Sequence, residues 1–301
     1  MIKVAFDERY VHPLPENHRF PMEKYDLLPK QLLLEGIISN SDFFAPGFAD
    51  REVLRTIHQE EYIHRYTQLQ LSAREQRITG FVHSASLVER ELAIVEGTRA
   101  CAEFAFRNKT VALNIAGGTH HAFSDRGEGF CMLNDNAVAA QWLIDNGMCS
   151  HILIIDLDVH QGNGTAEIFR NNPSVYTFSM HGEHNYPLQK EQSDLDVGLK
   201  DGIRDREYLY LLEKNLNYIL SVFTPDFIFY QCGVDILETD KLGRLGVSIQ
   251  GCLERDTIVF KTARMLGVPI VCSMGGGYSP EIRHIVNAHA NTFRAASHYF
   301  G

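Results

Sequence analysis

The feature that most constrains the fold is a repeated pattern in which a short apolar run stops at a cluster of glycines and ionisable residues. The clearest case is Ile154-Ile155-Asp156-Leu157-Asp158-Val159-His160-Gln161-Gly162-Asn163-Gly164. Val111–Ile115 runs into Ala116-Gly117-Gly118-Thr119-His120-His121, and Asp226–Gln231 into Cys232-Gly233-Val234-Asp235. Pro269–Ser273 runs into Met274-Gly275-Gly276-Gly277-Tyr278. Short continuous apolar runs read as strands covered on both faces. With Lys3–Phe6, His151–Leu157 and Ser174–Ser179 they are the expected core strands of a parallel sheet. Helical periodicity falls between them, at about Leu87–Phe106, Asp135–Asn146, Arg206–Phe223, Ile249–Leu266 and Pro280–His298, with Ser248 placed to cap the fourth. Such alternation predicts an α/β architecture with helices on both faces. Ligands of open α/β sheets bind beyond the carboxyl ends of the strands. Four polar clusters, far apart in sequence, can therefore meet at one rim.

Each cluster has its own chemistry. Residues two apart in an extended segment share a face, so Asp156, Asp158 and His160 are expected to project together. A single carboxylate there is most simply a solvated strand end. Three ionisable groups in register, beside Gly162 and Gly164, need a cation or hydrogen-bond partners. Two oxygens and a nitrogen suit Zn²⁺, and Fe²⁺ or Mn²⁺ are chemically compatible. Asp235 alone reads as a cap, but at another strand end it is a reasonable third ligand, which leaves a coordination position open for water and substrate. The neighbouring His120 and His121 could be ligands, an acid and base, or neither. Tyr278, beside three glycines, is placed to donate a hydrogen bond to a carbonyl oxygen. Phe130 suits an apolar channel wall, Cys131 reads as buried and unreactive, and Asn134 or Asp135 as a cap for the helix that follows.

Bulk properties narrow the function classes. A chain of 301 residues accommodates one large α/β domain or two ordinary ones. The formal charge of −10, with Lys and Arg scattered, argues against direct nucleic-acid binding. The six cysteines include no C-x-x-C pair, which fits a reduced, cytoplasmic setting. No apolar run is long enough to span a membrane, and the N-terminus lacks a signal-peptide apolar region. P-loop, dinucleotide-binding, G-x-S-x-G and H-E-x-x-H motifs are absent.

Taken in order, Gly118-Thr119-His120-His121, Gly129-Phe130-Cys131-Met132-Leu133-Asn134-Asp135, Asp156-Leu157-Asp158-Val159-His160, Gly233-Val234-Asp235 and Gly275-Gly276-Gly277-Tyr278 resemble the motifs of the zinc-dependent histone deacetylase and acetylpolyamine amidohydrolase family. The resemblance covers nearly the whole chain. Gln161, Asn163, Asn185-Tyr186-Pro187 and Ser193–Leu199 look most like the class IV branch and its bacterial relatives. It implies one catalytic domain over 1–301, an arginase/deacetylase-like fold, and a mostly parallel sheet of about eight strands. It implies Zn²⁺, or Fe²⁺ in its place, on Asp158, His160 and Asp235. His120 is expected near Asp156 and His121 near Asn163 as acid–base groups, and Tyr278 as the oxyanion donor. Gly129, Phe130, Tyr186 and Gly276 are expected along the substrate channel. A structural K⁺ is expected near Asp156, Asp158, His160, Ser179 and Met180.

The implied substrates are acyl-lysine in proteins or peptides, with acetyl or longer acyl chains, or alternatively acetylpolyamines and other small acyl-amines. Relatives of class I carry His where Gln161 stands and Asp where Asn163 stands. The neutral Asn163 predicts a lower proton affinity for His121. A binuclear manganese ureohydrolase is a weaker reading, because Leu237 stands where a second pair of metal ligands needs an acid. A non-catalytic acyl-group binder is also a weaker reading, because each catalytic position holds a competent residue. Oligomeric state and the side chains that the Arg9–Asp26 loop presents to the rim are not legible.

Overall fold

The computed structural model describes residues 2–16 and 18–301. Among these residues eight strands form one sheet: β1 (Lys3–Ala5), β2 (Phe43–Phe44), β3 (Val111–Asn114), β4 (Ile152–Asp156), β5 (Val175–Gly182), β6 (Leu195–Leu199), β7 (Phe227–Gln231) and β8 (Ile270–Ser273). Their order is β2-β1-β3-β8-β7-β4-β5-β6, and every neighbouring pair is parallel. The six expected core strands are present with slightly shifted ends. The two strands missed, β2 and β6, are the sheet edges. β2 has two residues, and Asp196 and Gly198 interrupt the apolar pattern of β6.

The principal helices are α1 (Lys24–Leu34), α2 (Ala85–Asn108), α3 (Asp135–Asp145), α4 (Asn163–Phe169), α5 (Asp205–Val222), α6 (Ile249–Leu266) and α7 (Ile282–Phe300). Strands β3, β4, β7 and β8 are buried at every residue, as continuous apolar runs require. Alternate residues feed opposite layers. Leu113, Leu153, Ile155, Ile228, Tyr230 and Ile270 pack with Leu28 of α1, Leu212 of α5, Phe260 of α6 and Phe293 of α7. Ala112, Ile152, Ile154, Phe227, Phe229 and Val271 pack with Ala102 and Ala105 of α2 and Ala140 and Leu143 of α3. Each large side chain so covered contributes roughly 1.5–3 kcal/mol. Caps set the helix starts: Ser84 Oγ, Asn134 Oδ1 and Ser248 Oγ accept from the backbone N–H of Leu87, Ala137 and Gly251. Among the described residues no helix is long and apolar enough to cross a membrane.

At the carboxyl edge the strands turn polar together. Asn114, Ser273, Gln231, Asp156 and Ser179 are successive register partners across β3, β8, β7, β4 and β5, and all are buried. Beyond this row the loops rest on Arg255, a fully buried residue of α6. Its Nη1 donates to Gly233 O at 2.5 Å and Leu157 O at 3.3 Å, and its Nη2 donates to Cys232 O at 3.2 Å. Asp256, which balances its charge, accepts from Arg255 Nε, Tyr230 Oη and Thr292 Oγ1. Removing the guanidinium would strand a buried carboxylate and three carbonyls. Arg255→Leu is therefore expected to cost about 3–5 kcal/mol in urea unfolding. A loss below about 1 kcal/mol would show that Arg255 does not support these loops.

Candidate functional site

β4 ends at Asp156, and residues 157–160 bend instead of continuing the strand. The bend separates the three groups that an extended reading puts on one face. Asp156 turns to His120, with Oδ2 2.7 Å from Nδ1. Asp158 and His160 instead join Asp235, from the loop after β7, in a cluster whose ligand atoms all lie within 4.8 Å of one another. His160 Nδ1 is 3.0 Å from Asp158 Oδ1 and 3.1 Å from Asp235 Oδ2. Backbone N–H groups hold the carboxylates from behind: Gly276 N donates to Asp158 Oδ2 at 2.7 Å, and Val159 N donates to Asp235 Oδ1 at 2.9 Å.

The cluster suits a divalent cation. Asp158, His160 and Asp235 are 1%, 9% and 0% exposed, so two carboxylates face each other out of water. Gly233 and Gly276 line the cradle, where a Cβ would collide with Asp158 Oδ2 and Asp235 Oδ2 respectively. Without a metal, a proton on His160 is the balancing charge. Burial opposes that proton, but hydrogen bonds and charge from Asp158 and Asp235 prevail and push the imidazole up to about 10. Burial and then the charge of Asp158 raise Asp235 as well, against the pull of His160. Oxygen–nitrogen–oxygen donors of this kind match Zn²⁺ or Fe²⁺.

The two adjacent histidines face different partners. His120 meets the carboxylate of Asp156, while His121 Nδ1 lies 2.7 Å from the amide Oδ1 of Asn163. Burial disfavours charge on His120, but Asp156 and Asp158 outweigh it and its proton affinity rises. For His121, burial and then the charges of His120 and His160 hold the pKa well below the ordinary value. Tyr278 is pushed well above the usual phenol range by burial and then by the charges of Asp235 and Asp158, so it stays a donor.

Several residues that position these groups escaped the sequence reading. Asp135 does not cap α3, which Asn134 does. It accepts from Gly118 N at 3.0 Å, Thr119 N at 2.8 Å and Thr98 Oγ1 at 2.6 Å, which fixes the loop bearing the histidines. Gln231 Nε2 donates to Gly118 O at 2.8 Å. Lys24, fully buried, donates to Gly275 O at 2.9 Å, and burial pulls its pKa down to about 8 despite Asp235 and Asp158. Asp240 Oδ2 accepts from Tyr278 N at 2.6 Å. One signal was available: Lys24 is a charge on the same inward face of α1 as Leu28 and Leu32.

Phe130 occupies a two-residue turn closed by Cys131 N→Glu128 O at 2.8 Å and Glu128 N→Cys131 O at 3.0 Å. Gly129 and Phe130 both have positive φ, +51° and +68°. The strained phenylalanine is held by Phe130 N→Thr79 O at 2.8 Å, and its ring lies over Gly80, where a Cβ would come within 2.8 Å. Its ring centroid is 5.2 Å from Phe20 and 6.0 Å from Tyr278. Tyr186, after β5, stands edge-on to His121 at 5.0 Å. An outer cavity of ≈ 330 Å³ is lined by Phe130, Gly129, Tyr186, His121, His160 and Tyr278. It leads to a smaller space of ≈ 40 Å³, lined by Gly276, Asp158, His120, Tyr25, Arg90 and Ile94. Of the Arg9–Asp26 loop, Phe20 borders the inner space and Arg19 the outer one, whereas Arg9 pairs with Asp7.

Comparisons with known proteins identify the family and the fold. Residues 18–293 match the histone deacetylase domain. The chain belongs to the histone deacetylase family. It is 44% identical to an uncharacterized protein of Picosynechococcus sp. over 97% of each chain. It is 31% identical to histone deacetylase 2 of Arabidopsis thaliana over 89% of this chain and 72% of that one. Crystal structures of an HDAC homolog complexed with SAHA and of one from Aquifex aeolicus each match with a TM-score of 0.86, at 26% identity, over 99% of this chain and 84% of theirs. The family and fold make the chain a deacetylase-type amidohydrolase.

A metal must displace the proton that Asp158 and Asp235 retain on His160 up to about pH 10. Affinity for a divalent ion, measured by chelator competition and corrected for the chelator's own protonation, should rise about tenfold per pH unit between about pH 6 and pH 8 for each proton released. A flat profile would mean that no proton leaves His160 when the ion binds.

Proposed function

We propose that this histone deacetylase homologue hydrolyses the amide bond of acetyl-lysine in a protein or peptide, using Zn²⁺ held by Asp158, His160 and Asp235. The observation that carries the proposal is a buried cluster of two carboxylates and an imidazole at the foot of an aromatic channel, flanked by two histidines with opposed proton affinities. A divalent ion supplies Lewis acidity there, polarising the amide carbonyl and activating a water. His121, uncharged and with Nδ1 donating to Asn163 Oδ1, has an unprotonated Nε2 to accept the proton of the attacking water. His120, kept charged by Asp156, is the source of positive charge and of the proton that the leaving amine needs. Tyr278 donates to the oxyanion. Phe130 and Tyr186 form opposite walls for the alkyl stem of the amine.

The inner space of ≈ 40 Å³ holds about three waters, which favours acetyl over long acyl groups. A structural K⁺ near Asp156, Asp158, His160, Ser179 and Met180 is part of the same proposal, supported by the register pairing of Asp156 with Ser179. Among the described residues this cluster is the one group of three or more potential ligands, which speaks against a binuclear centre.

On zinc-loaded protein, acetyl-lysine peptides should be cleaved faster than long-chain acyl-lysine peptides and acetylpolyamines. The reverse order would reassign the substrate. Tyr278→Phe should lower kcat by about 10²–10³ with metal content unchanged. Turnover unaffected by that change would leave the oxyanion without its assigned donor. Asn163→Asp should favour the protonated form of His121. Because the base must be unprotonated, the acidic limb of kcat/KM should move to higher pH, and an unmoved limb would refute the assignment of His121.

A further inference from the structure

The reaction just described leaves one carboxylate beside the site unused. Glu128 begins the turn that carries Phe130, and its side chain is 19% exposed. Its Oε1 accepts from Arg126 Nε at 3.0 Å, on the solvent side. Its Oε2 points the other way and accepts twice, from Tyr186 Oη at 2.9 Å and from Asn163 Nδ2 at 3.4 Å. A simple surface ion pair with Arg126 accounts for Oε1 and leaves the inward contacts unexplained.

Those contacts bear on His121 through the asymmetry of an amide. Asn163 has one accepting end and one donating end, and the surrounding hydrogen bonds decide which way it faces. An ionised carboxylate only accepts, so the Nδ2 end must face Glu128. The Oδ1 end is then left facing His121 Nδ1, at 2.7 Å. An oxygen there requires a proton on Nδ1, and the neutral ring keeps its lone pair on Nε2. A flipped amide would present N–H groups to Nδ1 and favour the tautomer protonated on Nε2, which cannot act as a base.

We propose that Glu128 is a positioning residue for the hydrolysis. Through the Asn163 amide it fixes the tautomer of His121, while also holding the Tyr186 phenol beside that ring. A carboxylate one residue further out thus orients a neutral partner without raising the proton affinity of His121 as a directly bonded carboxylate would. The inference rests on His121 being the base in the reaction proposed above.

An aspartate at 163 accepts at both ends and needs no orienting, and Glu128 becomes a like charge beside it. The sign of the Glu128 effect should therefore depend on residue 163. Glu128→Ala should lower kcat about tenfold, the loss of one hydrogen bond to a charged group. Glu128→Gln retains an accepting oxygen and should stay within about threefold of wild type. In an Asn163→Asp background, Glu128→Ala should cause no loss of kcat. Imidazole ¹⁵N spectra of metal-free and zinc-loaded protein should show His121 protonated on Nδ1 alone in wild type, and a mixture of tautomers in Glu128→Ala. Tyr186→Phe should move KM while leaving that tautomer in place.

Equal losses for Glu128→Ala in both backgrounds, or an unchanged His121 tautomer, would overturn the proposal. If even wild type fails to turn over any acyl-amine, the functional reading fails. The spectra would still decide whether Glu128 sets the tautomer.

Discussion

The arrangement depends on two carboxylates, Asp158 and Asp235, that the fold buries side by side. Charges brought out of water at such short range are costly unless a cation and hydrogen bonds accompany them. The protein supplies the hydrogen bonds itself, from the backbone N–H groups of Gly276 and Val159. It meets the remaining charge with the imidazole of His160, which would have to lose its proton before it could serve as a ligand for a bound cation. The parallel sheet is what brings these residues together. Asp158 follows β4, Asp235 follows the adjacent β7, and Gly276 follows β8, so three crossovers end at one edge. Arg255 and Lys24 then tie the loop carbonyls from the core side, where water cannot reach them.

The histidine pair shows how neighbouring residues of one type acquire different roles. His120 and His121 are adjacent in sequence with ring centroids 4.1 Å apart, and both are buried. Their hydrogen-bond partners differ, an aspartate for one and an asparagine for the other. Burial disfavours charge on both rings, and a carboxylate overcomes it for His120 alone. Opposed proton affinities of this kind are what paired acid–base chemistry needs.

Much of this was legible in the sequence because the same physics shapes both. Central strands such as Ile152–Asp156 are covered on both faces and therefore read as unbroken apolar runs. The Ile249–Leu266 helix was legible from its periodicity and its Ser248 cap. The edge strands were not, because a strand of two residues, or one interrupted by Asp196 and Gly198, carries little periodic signal. At the site, strand-end position brought Asp158, His160 and Asp235 into one reading. Period-two reasoning failed beyond Asp156, where the chain bends and sends that carboxylate to His120 instead. Asp135 and Asp240 were illegible for another reason: the contacts by which they hold the site, to the backbone N–H groups of Gly118 and Tyr278, join segments far apart in the chain, and no sequence spacing records them.

The central claim is that Asp158, His160 and Asp235 hold one metal ion. Anomalous diffraction from zinc-loaded crystals, with data on both sides of the zinc absorption edge, tests this most directly. The account predicts a single strong peak within bonding distance of one oxygen of each aspartate and one nitrogen of His160. Two peaks bridged by the carboxylates, or a peak away from these three residues, would contradict it.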